Sequence, residues 1–157
     1  RFGQVRKIYH ESLSVGGEEG FKSVERINPP AHQLLDRKRR QGAELVAIED
    51  GEVLQELLDW GRCLAVVRSP KVIRQASAFY QEISQRRNQI MAERIDADLQ
   101  DGEAALLLVS QDHALRFPTD VQVFYISPPA LEAVRRLLRE ESARAKEDPE
   151  RQSNGQE

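Results

Sequence analysis

Residues 71–100 hold the longest periodic run in the chain. Ile73, Tyr80, Met91, Ile95 and Leu99 share one line at helical spacing, with Val72, Ala76, Phe79, Ile83 and Ile90 beside it. Asp101-Gly102-Glu103 breaks the run, and residues 104–109 follow as an almost wholly apolar strand. A strand apolar on both faces needs cover on both sides, so this helix–strand pair points to a mostly parallel sheet flanked by helices.

The rest of the chain fits that frame. Val5, Ile8 and Tyr9 mark a first strand that ends in His10-Glu11-Ser12 and the turn pair Gly16-Gly17. Phe21, Val24 and Ile27 recur at helical spacing over residues 18–27, until Asn28-Pro29-Pro30 stops them. A second helix is predicted over 31–40, with Leu34 and Leu35 inward and Gly42 just past its end. Residues 43–48 read as a buried strand closed by Glu49-Asp50-Gly51. Val53, Leu54, Leu57, Leu58 and Trp60 give a further helical face that continues past Gly61 toward Ser69-Pro70, in competition with a strand at 63–67. Residues 121–126 are predicted as a fourth strand, central or near-central like 104–109. Pro128 and Pro129 open a last helix with Leu131, Val134, Leu137 and Leu138 inward. The expected fold is α/β, a single domain over 1–139 with a sheet of about four strands in the order βααβααββα. The polar residues 140–157 form an expected disordered tail.

Charge narrows the function. The 26 acidic and 23 basic residues are mixed along the chain, net −3, with none of the basic excess that phosphate-backbone binding needs. The run Arg37-Lys38-Arg39-Arg40 sits at a helix end, where cations suit the helix dipole. Nucleic acid is therefore a disfavoured partner. No apolar run reaches the roughly 20 residues of a membrane-spanning helix, and nothing at the N-terminus has the order of a secretory signal. The expectation is a cytoplasmic chain whose lone Cys63 is a reduced, inert thiol.

In parallel α/β sheets ligands bind beyond the carboxyl ends of the strands, so the strand exits are the first place to look for chemistry. The three exits carry His10 and Glu11, Glu49 and Asp50, and Asp112 and His113. Gathered on one rim, these side chains could act as acid, base or metal ligands, although turn chemistry alone also favours acidic residues there. His113 is the leading single candidate. His32, at a helix start, reads as a capping or surface residue. In the long helix, Asn88 interrupts the apolar line and Arg87 its neighbour, so each needs a partner or the edge of a cleft. Arg87 can pair with Glu49 or Asp50; the alternative is that it snorkels along the helix and bears no function. The chain has no Walker loop, GxGxxG fingerprint, GxSxG elbow or paired CxxC. The stretch Gly16 to Gly20 lacks the Lys-Ser/Thr of a nucleotide loop and reads as a turn and helix start.

The segment Arg86-Arg87-Asn88-Gln89-Ile90-Met91-Ala92-Glu93-Arg94-Ile95, followed by an apolar strand and Asp112-His113, resembles the C-terminal part of the TraB, ChaN and erythromycin-esterase-like superfamily. The resemblance runs from Tyr80 to Phe117 and extends more loosely to Glu49. It implies hydrolase-like or metal-assisted chemistry in which Arg87, Asn88 and His113 line the site, with Glu49 in support. The family's opening GxxH or GExH segment has no counterpart here, and Ser110-Gln111-Asp112 replaces the glycine before its late histidine.

The leading expectation is thus a hydrolase-like fragment with His113, Glu49, Arg87 and Asn88 as catalytic residues. His10, Glu11, Asp50 and Asp112 would contact a small-molecule substrate, with cofactor and metal unassigned. The alternative is a non-catalytic binding or assembly module that docks a protein partner, or forms an oligomer, through the last helix. Nucleic-acid association through residues 37–40 is the weakest of the three.

Overall fold

The computed structural model describes residues 3–110, 113–126, 136, 137 and 139. The chain divides into two units, Arg1–Thr119 and Asp120–Glu157. In the first, the elements run β1 (Val5–His10), α1 (Gly17–Ile27), α2 (Pro29–Arg40), β2 (Glu44–Val46), α3 (Gly51–Val66), α4 (Pro70–Asp98) and β3 (Ala104–Leu108). The sheet is parallel, in the order β2-β1-β3, with Ile8 opposite Leu45 on one side and Leu106 on the other.

Local chemistry sets the element ends. Asn28 serves two helices: its N–H closes α1 onto Val24 O, and its side chain accepts from Ala31 N–H at the start of α2. Pro29 and Pro30 fill the first turn of α2, where no N–H is required. It is this asparagine, and not His32, that caps α2. Gly16 and Gly20 let the start of α1 press onto β2: a Cβ on Gly16 would lie 2.8 Å from Leu45 O, and one on Gly20 3.0 Å from Leu45 Cδ2.

Alternation along the strands splits the core in two. Ile8 and Leu45 face α1 and α2, where they pack with Leu13, Phe21, Val24 and Leu35. Tyr9 faces the other way, with Ile48, Met91, Ile95 and Leu115. A third cluster, Val53, Leu57 and Ile83, joins α3 to α4.

Several expectations change. Residues 63–66 belong to α3, which excludes the competing strand. Residues 121–126 form no strand and enter no ladder, because β-prone composition without a paired neighbour does not make one. Among the described residues β3 is consequently an edge strand, half-buried throughout, and the sheet has three strands. Leu34 and Ile27 are exposed, while Leu35 and Val24 on the same helices are fully buried. Of the last helix only 136, 137 and 139 are described, in helical conformation, and Leu137 is exposed. Leu131, Val134, Leu138 and the tail at 140–157 lie outside the described residues. No helix among the described residues is long and apolar enough to cross a membrane.

Candidate functional site

The carboxyl ends of the strands carry a cluster of charges tied together by hydrogen bonds. After β1 the chain turns at Ser12, whose φ of +68° is a left-handed conformation costly for a residue with a Cβ. The turn aims Ser12 N–H at Glu49 Oε1, 2.8 Å away. Glu49 follows β2, and its side chain is fully buried. Its own N–H donates to Leu13 O, so the two strand exits are fastened in both directions.

Arg87 completes the pairing from α4. Its Nε donates to both Glu49 oxygens, at 3.0 and 2.9 Å, and its Nη2 donates to Oε1. The same Nη2 lies 3.7 Å from Glu11 Oε2. Burial works against the Arg87 charge, but the bond and attraction of Glu49, with Glu11 adding to both, outweigh it and hold the guanidinium above its usual range. Two turns further on, Arg94 donates to Glu49 O and, at 3.3 Å, to Asp50 Oδ2. Asp50 Oδ1 caps α3 by accepting from Glu52 and Val53 N–H.

Glu11 occupies the outer side of this array. Its N–H donates to Leu108 O on β3, and its Oε2 accepts from Ser110 Oγ at 3.1 Å. His10 is buried, with Nδ1 against Glu11 O. His113 follows β3 in the chain; its N–H donates to Ser110 O and its Nδ1 accepts from Leu115 N–H at 3.3 Å.

Of the eight sequence-predicted residues, the structure joins Glu11, Glu49 and Arg87 directly and Asp50 through Arg94, with His10 at their edge. His113 is linked to Ser110, the partner of Glu11, through its N–H. Asn88 is half-buried, and no bond of the cluster described here involves it. Asp112 lies outside the described residues. Sequence reasoning missed Arg94 and Ser12. Arg94 was within reach, since it follows Arg87 by seven residues and so shares its helix face. Ser12 carried no signal, because a left-handed serine looks like any other.

Among the described residues no three His, Cys, Asp or Glu side chains could hold a metal ion together. An open groove of about 640 Å³ runs instead along α3, lined by residues such as Glu52, Glu56 and Trp60. All of its lining comes from one helix, and the rim carboxylates are not in it, so the charged cluster is the better chemical candidate. Half of the basic run is already engaged: Arg39 pairs with Glu18 and Asp36 and lies over Phe21, and Arg40 pairs with Asp36.

Comparison with protein-family models, with curated proteins and with solved structures returned no match to the chain.

Proposed function

We propose that the rim is an acid–base site of hydrolase type, acting on a small polar substrate in the cytoplasm. The supporting observation is the Glu11–Arg87–Glu49 array at the carboxyl end of a parallel sheet. Glu49, buried and held by Ser12 and Arg87, is a positioning residue. It fixes Arg87 beside Glu11, whose side chain keeps 21% of its surface in solvent. Glu11 takes a proton from water, and Arg87 offers a fixed positive charge to the oxyanion that forms. His113, with Nδ1 engaged by Leu115 N–H, presents its Nε2–H as a hydrogen-bond donor to the leaving group, and the proton that Glu11 took from water passes on to that group. His10, Asp50 and Asp112 border the substrate, and Asn88 flanks Arg87 on α4. The resemblance to the TraB, ChaN and erythromycin-esterase-like superfamily supports the same assignment of Arg87, Asn88 and His113.

The test is turnover of chromogenic carboxylic, phosphate and amide esters by the full chain and by Glu11→Gln. Turnover that falls by about 100-fold or more in Glu11→Gln, and partly survives in Glu11→Asp, is the expected result. Absence of turnover across the panel, or equal rates in both proteins, rejects the reading.

A further inference from the structure

Two paired strands leave the sheet side by side at the rim. Glu11 follows the last residue of β1, Ser110 comes two residues after the end of β3, and Glu11 N–H still donates to Leu108 O. The register that sets His10 opposite Leu108 thereby brings the two side chains together, and Ser110 Oγ donates to Glu11 Oε2 at 3.1 Å. A hydroxyl and a carboxylate at this separation are a nucleophile within reach of a base.

Both partners are held in place. Arg87 Nη2 stands 3.7 Å from the same Glu11 oxygen, while Arg87 Nε is spent on Glu49 at 3.0 and 2.9 Å, so the guanidinium steadies Glu11 mainly by its charge. On the other side, Ser110 O accepts from His113 N–H at 3.3 Å. Access to solvent rises along this line of contacts. The Glu49 side chain is sealed, Arg87 keeps 16% and Glu11 21% of its surface, and Ser110 is exposed. Of the four groups, the serine hydroxyl is the one that an incoming substrate meets first.

Given the acid–base site proposed above, the geometry points to Ser110 as its nucleophile, which carries the acyl group of a carboxylic ester between two half-reactions. This assignment rests on that reading and adds a covalent intermediate to it. In the first half, Ser110 Oγ gives its proton to Glu11 Oε2 and bonds to the ester carbonyl carbon, whose oxygen takes up negative charge near Arg87. The bond from that carbon to the alcohol oxygen then breaks, and the alcohol leaves with the proton from Glu11. In the second half, Glu11 takes a proton from water and the resulting hydroxide bonds to the acyl carbon. Ser110 Oγ leaves with that proton, and the free acid is released. Nothing is oxidised or reduced, and each half returns Glu11 to its carboxylate form.

The test treats the full chain with p-nitrophenyl acetate and, separately, with an alkyl fluorophosphonate, whose phosphorus bonds to an activated serine oxygen as fluoride leaves. Peptide mass mapping after an acid quench locates the adduct. The expected result is an adduct on Ser110 with both probes, formed about 100-fold or more slowly in Glu11→Gln. Ser110→Ala loses the adduct, and its ester turnover falls by about 100-fold or more. Ser110→Cys recovers the acetyl adduct as a thioester. Ser110 is exposed, and far-UV circular dichroism verifies that each variant is folded. Turnover that Ser110→Ala leaves unchanged, with no adduct on Ser110, overturns the inference and leaves water as the direct nucleophile of the proposed site. An adduct on Ser110 without turnover of any ester supports Ser110 as the nucleophile and rejects the hydrolase reading. Absence of both adduct and turnover rejects the two together.

Discussion

The two ends of β1 are each tied to α4 by charged side chains, yet in different surroundings. At the carboxyl end, Glu49 is wholly buried and Arg87 is 16% exposed. At the amino end, Lys7 bridges Asp98 and Glu44 at 3.2 Å each, with Asp98 28% and Glu44 67% exposed, and Tyr9 donates its hydroxyl to Asp98 at 2.8 Å. A buried pair is expensive to break, because the partner left behind keeps its charge without water to solvate it. An exposed pair loses little, since solvent takes over. The carboxyl end therefore fixes the geometry of the rim, while the amino end mainly joins helix to strand.

The sharpest test of this contrast is Arg87→Ala, which strands the Glu49 carboxylate on one backbone N–H. Urea unfolding should show a loss of about 3–5 kcal/mol. A loss no larger than that of an exposed pair would remove the distinction between the two ends.

Tyr9→Phe comes next and acts at the other end, with an expected cost of about 1–1.5 kcal/mol at neutral pH. Its pH dependence is the more telling readout. Burial raises the Tyr9 phenol, and its bond to Asp98 with nearby carboxylate charge raises it further. The folded state then holds a proton that the unfolded state releases near pH 10. Stability from this source is complete below that pH and is lost as pH rises above it. Lys7, raised by its bonds to Glu44 and Asp98, slopes the same way from its ordinary value of 10.5 upward. Urea midpoints between pH 8 and 11 should fall more steeply in the wild type than in Tyr9→Phe.

The smallest effect belongs to Glu44→Gln, at under about 0.5–1 kcal/mol and shrinking further in salt. An effect as large as that of Tyr9→Phe would mean that the amino end also works as a rigid clamp.

Much of this arrangement was legible in the sequence, for identifiable reasons. The seven elements of the first unit follow from hydrophobic period and from punctuation by Asn28-Pro29-Pro30, Glu49-Asp50-Gly51 and Ser69-Pro70. A carboxylate partner for Arg87 at Glu49 or Asp50 was legible because a guanidinium on an apolar helix face needs one and a strand exit supplies it, but the choice of Glu49 was not, since both acids follow the same strand. Residues 121–126 misled because period and propensity describe a strand's faces and say nothing about whether a sheet edge is there to receive it. Arg94, seven residues after Arg87 on the same helix face, was within reach of the same argument, whereas the Ser12 turn has no compositional mark.

The strand order has a consequence for how the chain is made. The middle strand of the sheet, β1, leaves the ribosome before either neighbour, and β3 begins only at Ala104. At synthesis rates of about 5–20 residues per second, one flank of β1 waits several seconds for its partner to emerge. During that interval the apolar residues of a future interior are open to chaperones and to aggregation, and nascent-chain length decides when that window closes.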